Sequence, residues 1–535
     1  MLERPAMSKN LRALSARFTK NKTLFQTLTE IVENREAPLE RKLTAFADES
    51  LISPAALLGS ASFYDFLYTQ QTPKRAHLCN GTSCQLSGRQ AEARAILAQR
   101  YAPEEIGQAA CLGHCYHGGA YWQEGHTCDT TSGPGEKASA IPFFPATDSI
   151  FNTPLASLDA LYQTTRLAAD RICDELTASR LRGRGGAGFP FATKLASCAQ
   201  ADAAQKYIVC NADEGDPGAF SDRYLLEHQP HRVLAGMLAA AEATGANTGY
   251  LYIRAEYPQA QQCMAAAISE FEANGVTENG FQFHIVRGAG AYICGEESAL
   301  LNSIEGLRPE VRLRPPYPAQ AGLFGQPTLV SNVETFAAIP WILQHGGAAF
   351  AARGTDLATG TKLVCLDAGF KQPGVYEVEM GTALIQLIEE RAGGFRQPAK
   401  AVQVGGPLGS IVPLERLADL QLDFESFAQA GFLLGHAGIV AIPRTFPMID
   451  LLRHLFSYMA DESCGKCLPC RLGTEKGQHL LQQASAATPL SRQLFDELLE
   501  TLELGSLCAL GGGLPLPVRN ILDYFGEELE EYFQP

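Results

Sequence analysis

Three cysteines two residues apart, Cys464, Cys467 and Cys470 in ESCGKCLPCRLG, are followed by Cys508 in SLCALGGG. A C-x2-C-x2-C run can wrap three corners of an iron–sulfur cubane while a remote cysteine closes the fourth, and Gly465 lets the backbone approach the cluster. Zinc sites usually pair two C-x2-C knuckles or add histidine, so this spacing favours a [4Fe-4S] cluster, with zinc as the alternative. A second set, Cys79 and Cys84 in CNGTSC with Cys111 and Cys115 in CLGHC, offers two close pairs from two loops. Two pairs match the two irons of a [2Fe-2S] cluster, zinc or free thiols being the other readings. Nearby His114 and His117 read as packed or solvated loop residues rather than ligands. The remaining cysteines, Cys128, Cys173, Cys198, Cys210, Cys263, Cys294 and Cys365, are scattered and read as small apolar side chains.

Phosphate chemistry is suggested by LRGRGGAGFP, where Gly183, Gly185 and Gly188 satisfy G-x-G-x-x-G. A dinucleotide fingerprint needs a strand just before it, whereas ADRICDELTASR reads as a helix, so that inference fails. The general point survives: glycines at 183, 185, 186 and 188 expose amide donors to an anion, and Lys194 can balance its charge. Next, KYIVCNADEGDPGAFSDR runs a strand into a loop bearing Asn211, Asp213, Glu214 and Asp216, acids suited to ribityl or ribose hydroxyls or to magnesium. GAGAYICGEESALLNSIEG then places Glu296 and Glu297 at a helix start, where capping alone would also explain them. Three such loops in one region point to one large nucleotide-like ligand, or to two stacked together.

The elements that must hold these loops follow from composition. The chain has 535 residues, 46% hydrophobic and 19% charged, enough for several domains. No run of about 18 apolar residues is present to cross a bilayer, so no membrane insertion is expected. Lysine and arginine number 43 against 58 acids, a formal charge of −15, which disfavours nucleic acid as a partner. MLERPAMSKN lacks an apolar signal region, the chain is expected in the cytoplasm, and fifteen cysteines there suggest metal rather than disulfides. Leu11, Leu14 and Phe18 predict an amphipathic helix, the start of a helical lead-in to about residue 70. Short strands and paired cysteines follow, ending in a Gly-, Ser- and Pro-rich linker before residue 150. An α/β region, a small α+β region and a helical end complete the order.

Together RGRGGAGFPFATK, NADEGDPGAFSDR, GAGAYICGEESAL, PTLVSNVET, ESCGKCLPCRLG and CALG resemble the NADH-binding flavoprotein subunit of respiratory complex I and its soluble relatives. The front, with CNGTSC and CLGHC, is similar to the thioredoxin-like [2Fe-2S] subunit of the same complex, here fused to the flavoprotein. The resemblance implies a multidomain α/β fold: a helical lead-in and thioredoxin-like [2Fe-2S] domain over 1–150 and a Rossmann-like FMN and NAD domain over 155–338. A small ubiquitin-like α+β domain over 339–435 and a helical [4Fe-4S] domain over 436–535 complete it. It implies FMN held by Gly183, Gly185, Gly186, Lys194, Asn211, Asp213 and Glu214, with Tyr292, Gly295, Glu296, Asn332 and Thr335 around its ring and phosphate. NAD would stack on the flavin, with Phe189, Asp216, Glu297, Arg314 and Tyr317 as its contacts. Asp216 stands where complex I flavoproteins usually have the longer glutamate, and Ser331 replaces the first of an Asn-Asn pair. An acid at 216 predicts NAD over NADP.

The implied activity passes electrons between NAD(H), FMN and the clusters. It names no catalytic acid or base, only positioning residues such as Glu296 and Glu297. The fused form is similar to the diaphorase subunits of soluble NAD-dependent formate dehydrogenases and NAD-reducing hydrogenases. The comparable region of the hydrogenase subunits often lacks the front cysteines, so a formate dehydrogenase is the first expectation. A hydrogenase diaphorase, a complex I module and a non-redox zinc scaffold follow in that order. The expected partners are a molybdenum, tungsten or nickel-iron catalytic subunit and further iron–sulfur subunits of a hetero-oligomer.

Overall fold

The computed structural model describes residues 18–19, 22–33, 39–50, 52–67, 74–132, 135–152, 161, 166–277 and 280–534. Leu11 and Leu14 of the expected first helix lie outside these, and Phe18 sits in a two-residue strand. The lead-in comprises α1 (Leu24–Glu33), α2 (Leu39–Ser50) and α3 (Pro54–Ala61). Its apolar faces do not pack among themselves alone. Phe25, Leu28, Leu57 and Tyr64 join one core with residues of the flavin region and the helical end, and the Tyr64 hydroxyl meets Ser303 Oγ at 2.9 Å.

The front domain runs β1 (Ala76–Cys79), α4 (Thr82–Leu86), α5 (Gln90–Ala98), β2 (Ile106–Ala109), β3 (Ala120–Gln123) and β4 (His126–Asp129). The sheet order is β2-β1-β3-β4, with β1 and β2 parallel and the rest antiparallel. Two helices supply the crossover that a parallel pair requires. The segment read as a linker does more than link. Phe143–Phe144, β5, adds a parallel edge strand to a sheet formed more than 200 residues later.

The nucleotide region contains α6 (Ala169–Ser179), α7 (Phe191–Ala199), β6 (Tyr207–Ala212), α8 (Ser221–His228), α9 (Pro230–Thr244), β7 (Thr248–Ile253), α10 (Pro258–Ala273), β8 (Gln282–Arg287), α11 (Glu297–Ile304), β9 (Thr328–Asn332) and α12 (Val333–His345). All four strands are parallel in the order β8-β7-β6-β9. Renumbered from its first strand this is 3-2-1-4, whose direction reverses between β6 and β9, the point at which open α/β sheets bind ligands. Buried runs such as IVC in β6 suit a sheet covered on both faces. Proline at the first turn starts α9 and Gly245, at φ 74°, ends it. Gly236 of α9 lies so close to α12 that a Cβ there would meet the Phe336 carbonyl oxygen at 1.9 Å.

The third domain is a mixed six-stranded sheet. Its strands are β10 (Thr361–Leu366), β11 (Gly374–Glu379), β12 (Ala399–Val404), β13 (Ser410–Pro413) and β14 (Gly438–Pro443), ordered β13-β12-β14-β10-β11-β5. The expected boundary at 435 cuts this sheet. GIVAIP, buried throughout, is an interior strand that has no alternation to announce it. The end is helical, with α13 (Met448–Glu462), α14 (Leu468–Gln483), α15 (Arg492–Gly505) and α16 (Pro515–Tyr524). Among the described residues no helix is long and apolar enough to cross a membrane. We expect Gly236→Ala to destabilise the protein by about 3 kcal/mol or more, since backbone must move to admit the methyl group; a thermal melt of the variant checks this.

Candidate functional site

Strands β6 and β9 end level with one another, Asn332 paired in register with Asn211, so two asparagine side chains stand at the carboxyl end of the sheet where its order reverses. Asn211 donates to the Gly295 carbonyl at 2.8 Å and accepts the Asp213 N–H at 3.1 Å, which ties the second loop to the third. Asn332 caps α12, its Oδ1 accepting from the N–H groups of Glu334 and Thr335 at 2.9 and 3.3 Å. The Thr335 hydroxyl accepts the Arg184 N–H at 3.0 Å and so pins the glycine loop to the same helix start. A Cβ on Gly185 would meet the Asn332 side chain at 3.0 Å, and one on Gly186 would lie 3.8 Å from Gly435 of the third domain.

The other expected contacts surround these two strand ends. Lys194 donates to Glu297 Oε2 at 2.7 Å and to the Val330 carbonyl at 3.3 Å. Glu296 caps α11 through the N–H groups of Ser298 and Ala299 and pairs with Arg314, which also lies 3.5 Å from Glu297. Phe189 and Tyr317 are exposed rings, free to stack on a planar ligand. Asp216 is half-buried and accepts the Tyr292 hydroxyl at 2.7 Å. Gly183 closes the loop by donating to the Phe189 carbonyl at 2.8 Å.

Two acids behave differently from their neighbours. Asp213 is half-buried, desolvation pushes its carboxyl well up, and its buried Oδ2 lacks a hydrogen-bond partner. Glu214 is satisfied by the chain itself. It accepts from the N–H groups of Asp222 and Arg223 at 2.9 and 3.1 Å, from Ser221 Oγ at 3.3 Å and from the Tyr257 hydroxyl at 3.2 Å. Its carboxylate thus serves the start of α8, where the helix dipole favours an anion.

The two cysteine sets are each brought together. Cys464, Cys467, Cys470 and Cys508 line one small cavity with Ile293, Val311, Ser463, Lys466, Leu507 and Leu510. Gly465, at φ 77°, makes the turn between the first two, and a Cβ on Gly511 would strike Cys470 at 2.8 Å. Burial, with Glu296, Cys464 and Cys470, pushes the Cys508 thiol up to about 12. In the front domain Cys79, Cys84, Cys111 and Cys115 are all buried, with 3.7 Å between the sulfurs of Cys111 and Cys115. The Gly113 N–H donates to Cys111 Sγ at 3.4 Å, and the Gly218 N–H of the flavin region donates to Cys115 Sγ at 3.2 Å. Neighbouring Cys111 and burial together hold the Cys115 thiol well up. Such thiols ionise only when a metal compensates them.

Four sulfurs on one zinc ion would stand about 3.8 Å apart. Among the described residues the one trio of ligand atoms lying within 4.8 Å of one another is Glu214, Asp222 and His436, so neither cysteine set is drawn in around a single ion. All fifteen cysteines are free, and His117 bonds Ser139 Oγ at 2.9 Å. Cys128, Cys198, Cys210, Cys294 and Cys365 are buried, and Cys173 and Cys263 half-buried.

Residues 176–341 match the family described as the Nuo51 FMN-binding domain, and residues 450–532 match the NADH-ubiquinone oxidoreductase-F iron-sulfur binding region. The F 2 subunit of the NADH-quinone oxidoreductase of Rhizobium meliloti (strain 1021) is 42% identical over 378 residues, 68% of this chain and 89% of that protein. The chain belongs to the complex I flavoprotein family. It is an NADH:acceptor oxidoreductase subunit with FMN and iron–sulfur domains. The HndC subunit of the NADP-reducing hydrogenase of Solidesulfovibrio fructosivorans is 39% identical over 71% of this chain and 79% of its own. A chain of a solved NAD+-reducing [NiFe]-hydrogenase, in the H2-reduced state, superposes with TM-score 0.85 at 31% identity, covering 95% of this chain and 92% of that one.

The residues fit the groups the family carries. The Asp213 Oδ2, unpartnered and 3.8 Å from where a Cβ on Gly295 would stand, is left to accept from a ligand hydroxyl, and four thiols line one cavity. Sequence reasoning missed Arg184, Asp222, Arg254 and His436. Arg184 is wholly buried beneath the glycine loop and donates to the Thr359 carbonyl at 2.5 Å. Arg254 donates to the carbonyls of Glu214 and Cys111 and pairs with Glu256. Only the charged residue inside the apolar run YLYIR hinted at the last of these bonds.

Gly185→Ala should cut retained FMN at least tenfold, because the methyl group enters the Asn332 contact; flavin released on denaturation measures it. Cys508→Ser should keep flavin while removing one cluster's electron paramagnetic resonance signal, and an unchanged spectrum would take Cys508 out of the ligand set.

Proposed function

We propose that this chain is the NAD-reducing arm of a soluble multisubunit dehydrogenase, with a hydrogenase as the leading assembly. Electrons from a partner's metal site would pass through iron–sulfur clusters to FMN and then to NAD+. One observation carries the reading: the NAD+-reducing [NiFe]-hydrogenase chain superposes over 95% of this chain, fused front included, at 31% identity. Bound FMN exchanges a hydride with the nicotinamide and single electrons with clusters. The chain's own part is to hold the reactants in register. In this reading Asn211, Asp213 and the glycine amides hold the ribityl phosphate, and Phe189 and Tyr317 offer ring faces to the nucleotide. Glu296, Glu297 and Arg314 form an ion-paired rim that orients it.

The front quartet favours a second reading, a formate dehydrogenase. Its four thiols are gathered as a [2Fe-2S] site would need, and the parallel pair with an antiparallel hairpin agrees with a thioredoxin-like domain. The family resemblance associates that set with formate-linked relatives. Isolation of the intact complex followed by elemental analysis separates the two. Nickel is expected for the leading reading, whereas molybdenum or tungsten would replace it with the second.

The nicotinamide choice rests on Asp216. Although its carboxyl is bonded to Tyr292, it lies against Gly406, where a Cβ would meet Oδ1 at 2.5 Å, so little room for a phosphate remains on that side. Asp216→Gln should raise NADPH activity relative to NADH several-fold; an unchanged ratio would remove the residue from the specificity argument.

The partner side is marked by leucines. Leu468 and Leu472 beside Cys467 and Cys470, and Leu504 and Leu507 beside Cys508, are exposed by 62, 55, 77 and 46%. Leu507 also lines the cavity of the four cysteines, and exposed apolar side chains this near a cluster site suit the docking of the next iron–sulfur protein. Leu504→Glu should reduce recovery of that partner on co-purification without loss of FMN or NADH-dependent dye reduction.

A further inference from the structure

The flavin pocket's acidic wall is completed from outside its own domain. His436, in the turn before β14 of the third domain, is buried and projects its imidazole between two carboxylates of the nucleotide region. Its Nε2 lies 3.5 Å from Glu214 Oε1 and 3.6 Å from Asp222 Oδ2, and neither ring nitrogen has a hydrogen-bond partner among the described residues. Both carboxylates are placed as acceptors. Glu214 receives four donors, as an acceptor-only group requires, and Asp222 Oδ2 receives the Asn332 amide at 2.5 Å. Two buried anions this close need a cation. Lys362 faces the cluster from β10 but is spent in a wholly buried pair with Glu334. Arg223 is turned away, its guanidinium bonding Glu227 and the Gly113 carbonyl.

We propose that His436 is a positioning residue for the flavin, an imidazolium that holds Glu214 and Asp222 in place and offsets the negative charge the pocket gains when a hydride arrives. The proposal rests on the FMN site described above. Two expected FMN contacts meet the trio directly, Glu214 as a member and Asn332 by donating to Asp222, and Gly186 lies beside the His436 backbone. The groups facing the imidazole are Asp222, Glu214 and Asp216 on the acidic side and Lys362 on the basic side. Burial favours the neutral ring, yet the Asp222 and Glu214 carboxylates outweigh it and Lys362 together, leaving His436 above its ordinary value. Burial and Asp222 in turn push Glu214 up to about 7, and the His436 charge pulls against them. A histidine raised in this way keeps its charge to higher pH than a free imidazole and loses it as pH climbs past the raised value. A bound divalent metal would be the other way to supply the charge, but Glu214 has no oxygen free of donors from its own chain.

The test is spectroelectrochemistry of the flavin in the intact complex, wild type against His436→Gln and His436→Lys, across a pH series. Near pH 7, His436→Gln should shift the oxidised-to-reduced flavin ratio about tenfold toward oxidised, about 30 mV for a two-electron couple. That difference should shrink in alkaline solution, where the wild-type ring also becomes neutral. His436→Lys, which keeps a cation, should stay near the wild-type potential. Should His436→Gln fail to fold, the lysine variant and the wild-type pH profile decide. A difference that does not change with pH, or a lysine variant as shifted as glutamine, would mean a packing role and overturn the proposal. One equivalent of divalent metal per chain, removable by chelator with a shift in flavin potential, would also overturn it. Flavin content is measured first: wild-type complex without FMN would overturn the flavin reading itself, whereas FMN present with equal potentials would overturn the role of His436 alone.

Discussion

The in-register pairing of Asn211 with Asn332 is the constraint on which the rest of the site depends. Parallel strands that end level place two amides side by side at the reversal of the sheet, and each amide then fixes a different loop. One holds the Gly295 turn, and the other starts α12 and, through Thr335, anchors the glycine loop. That turn reaches further. Tyr292 bonds Asp216 on the flavin side while Ile293 lines the cavity of the four C-terminal cysteines. Four consecutive residues, Tyr292–Gly295, therefore touch both the acidic loop and the cavity of the four cysteines.

Charge at the centre of the molecule is held by contacts between regions rather than within them. Arg254, at the end of β7, donates to carbonyls on both the acidic loop and the front cysteine loop. Arg223 reaches Gly113, and Ser83 of the front domain bonds Asp367 of the third. Burial pushes Asp367 up to about 7 despite that bond. Buried charges of this kind cost more than they return when a partner is missing, so they bind the regions in a single arrangement. The front domain, with only small apolar clusters of its own, depends on these bonds for its position.

Much of the site was legible because iron–sulfur ligands and phosphate loops are local patterns. The C-x2-C-x2-C run, the glycines from 183 to 188 and the acids after KYIVC each announce themselves within about a dozen residues, and the structure gathers them. The strand order behind them was not legible, since nothing in KYIVC or PTLVSN states that the two strands pair. His436 escaped for the same reason: nothing local marks LLGHAG, and the chemistry of its histidine comes wholly from carboxylates more than 200 residues away. GIVAIP was assigned across a boundary because a strand buried on both faces shows no alternation. Glu214 also serves as a helix-start acid, a role that only the fold of Ser221–His228 could reveal.

The pairing of Phe143–Phe144 with Val375–Tyr376 has a consequence in time as well as in space. The earlier strand leaves the ribosome about 230 residues ahead of its partner, which at about 5–20 residues per second is a wait of about 10–50 s. Throughout that interval the front domain can close its own sheet, but the two phenylalanines have no strand beside them. Pro142 and Pro145 flank the pair and withhold amide donors from that edge, limiting what else can pair with it while synthesis proceeds. The final fold thus draws an early segment into a late sheet, and the edge it completes cannot close until the chain beyond Val375 has been made.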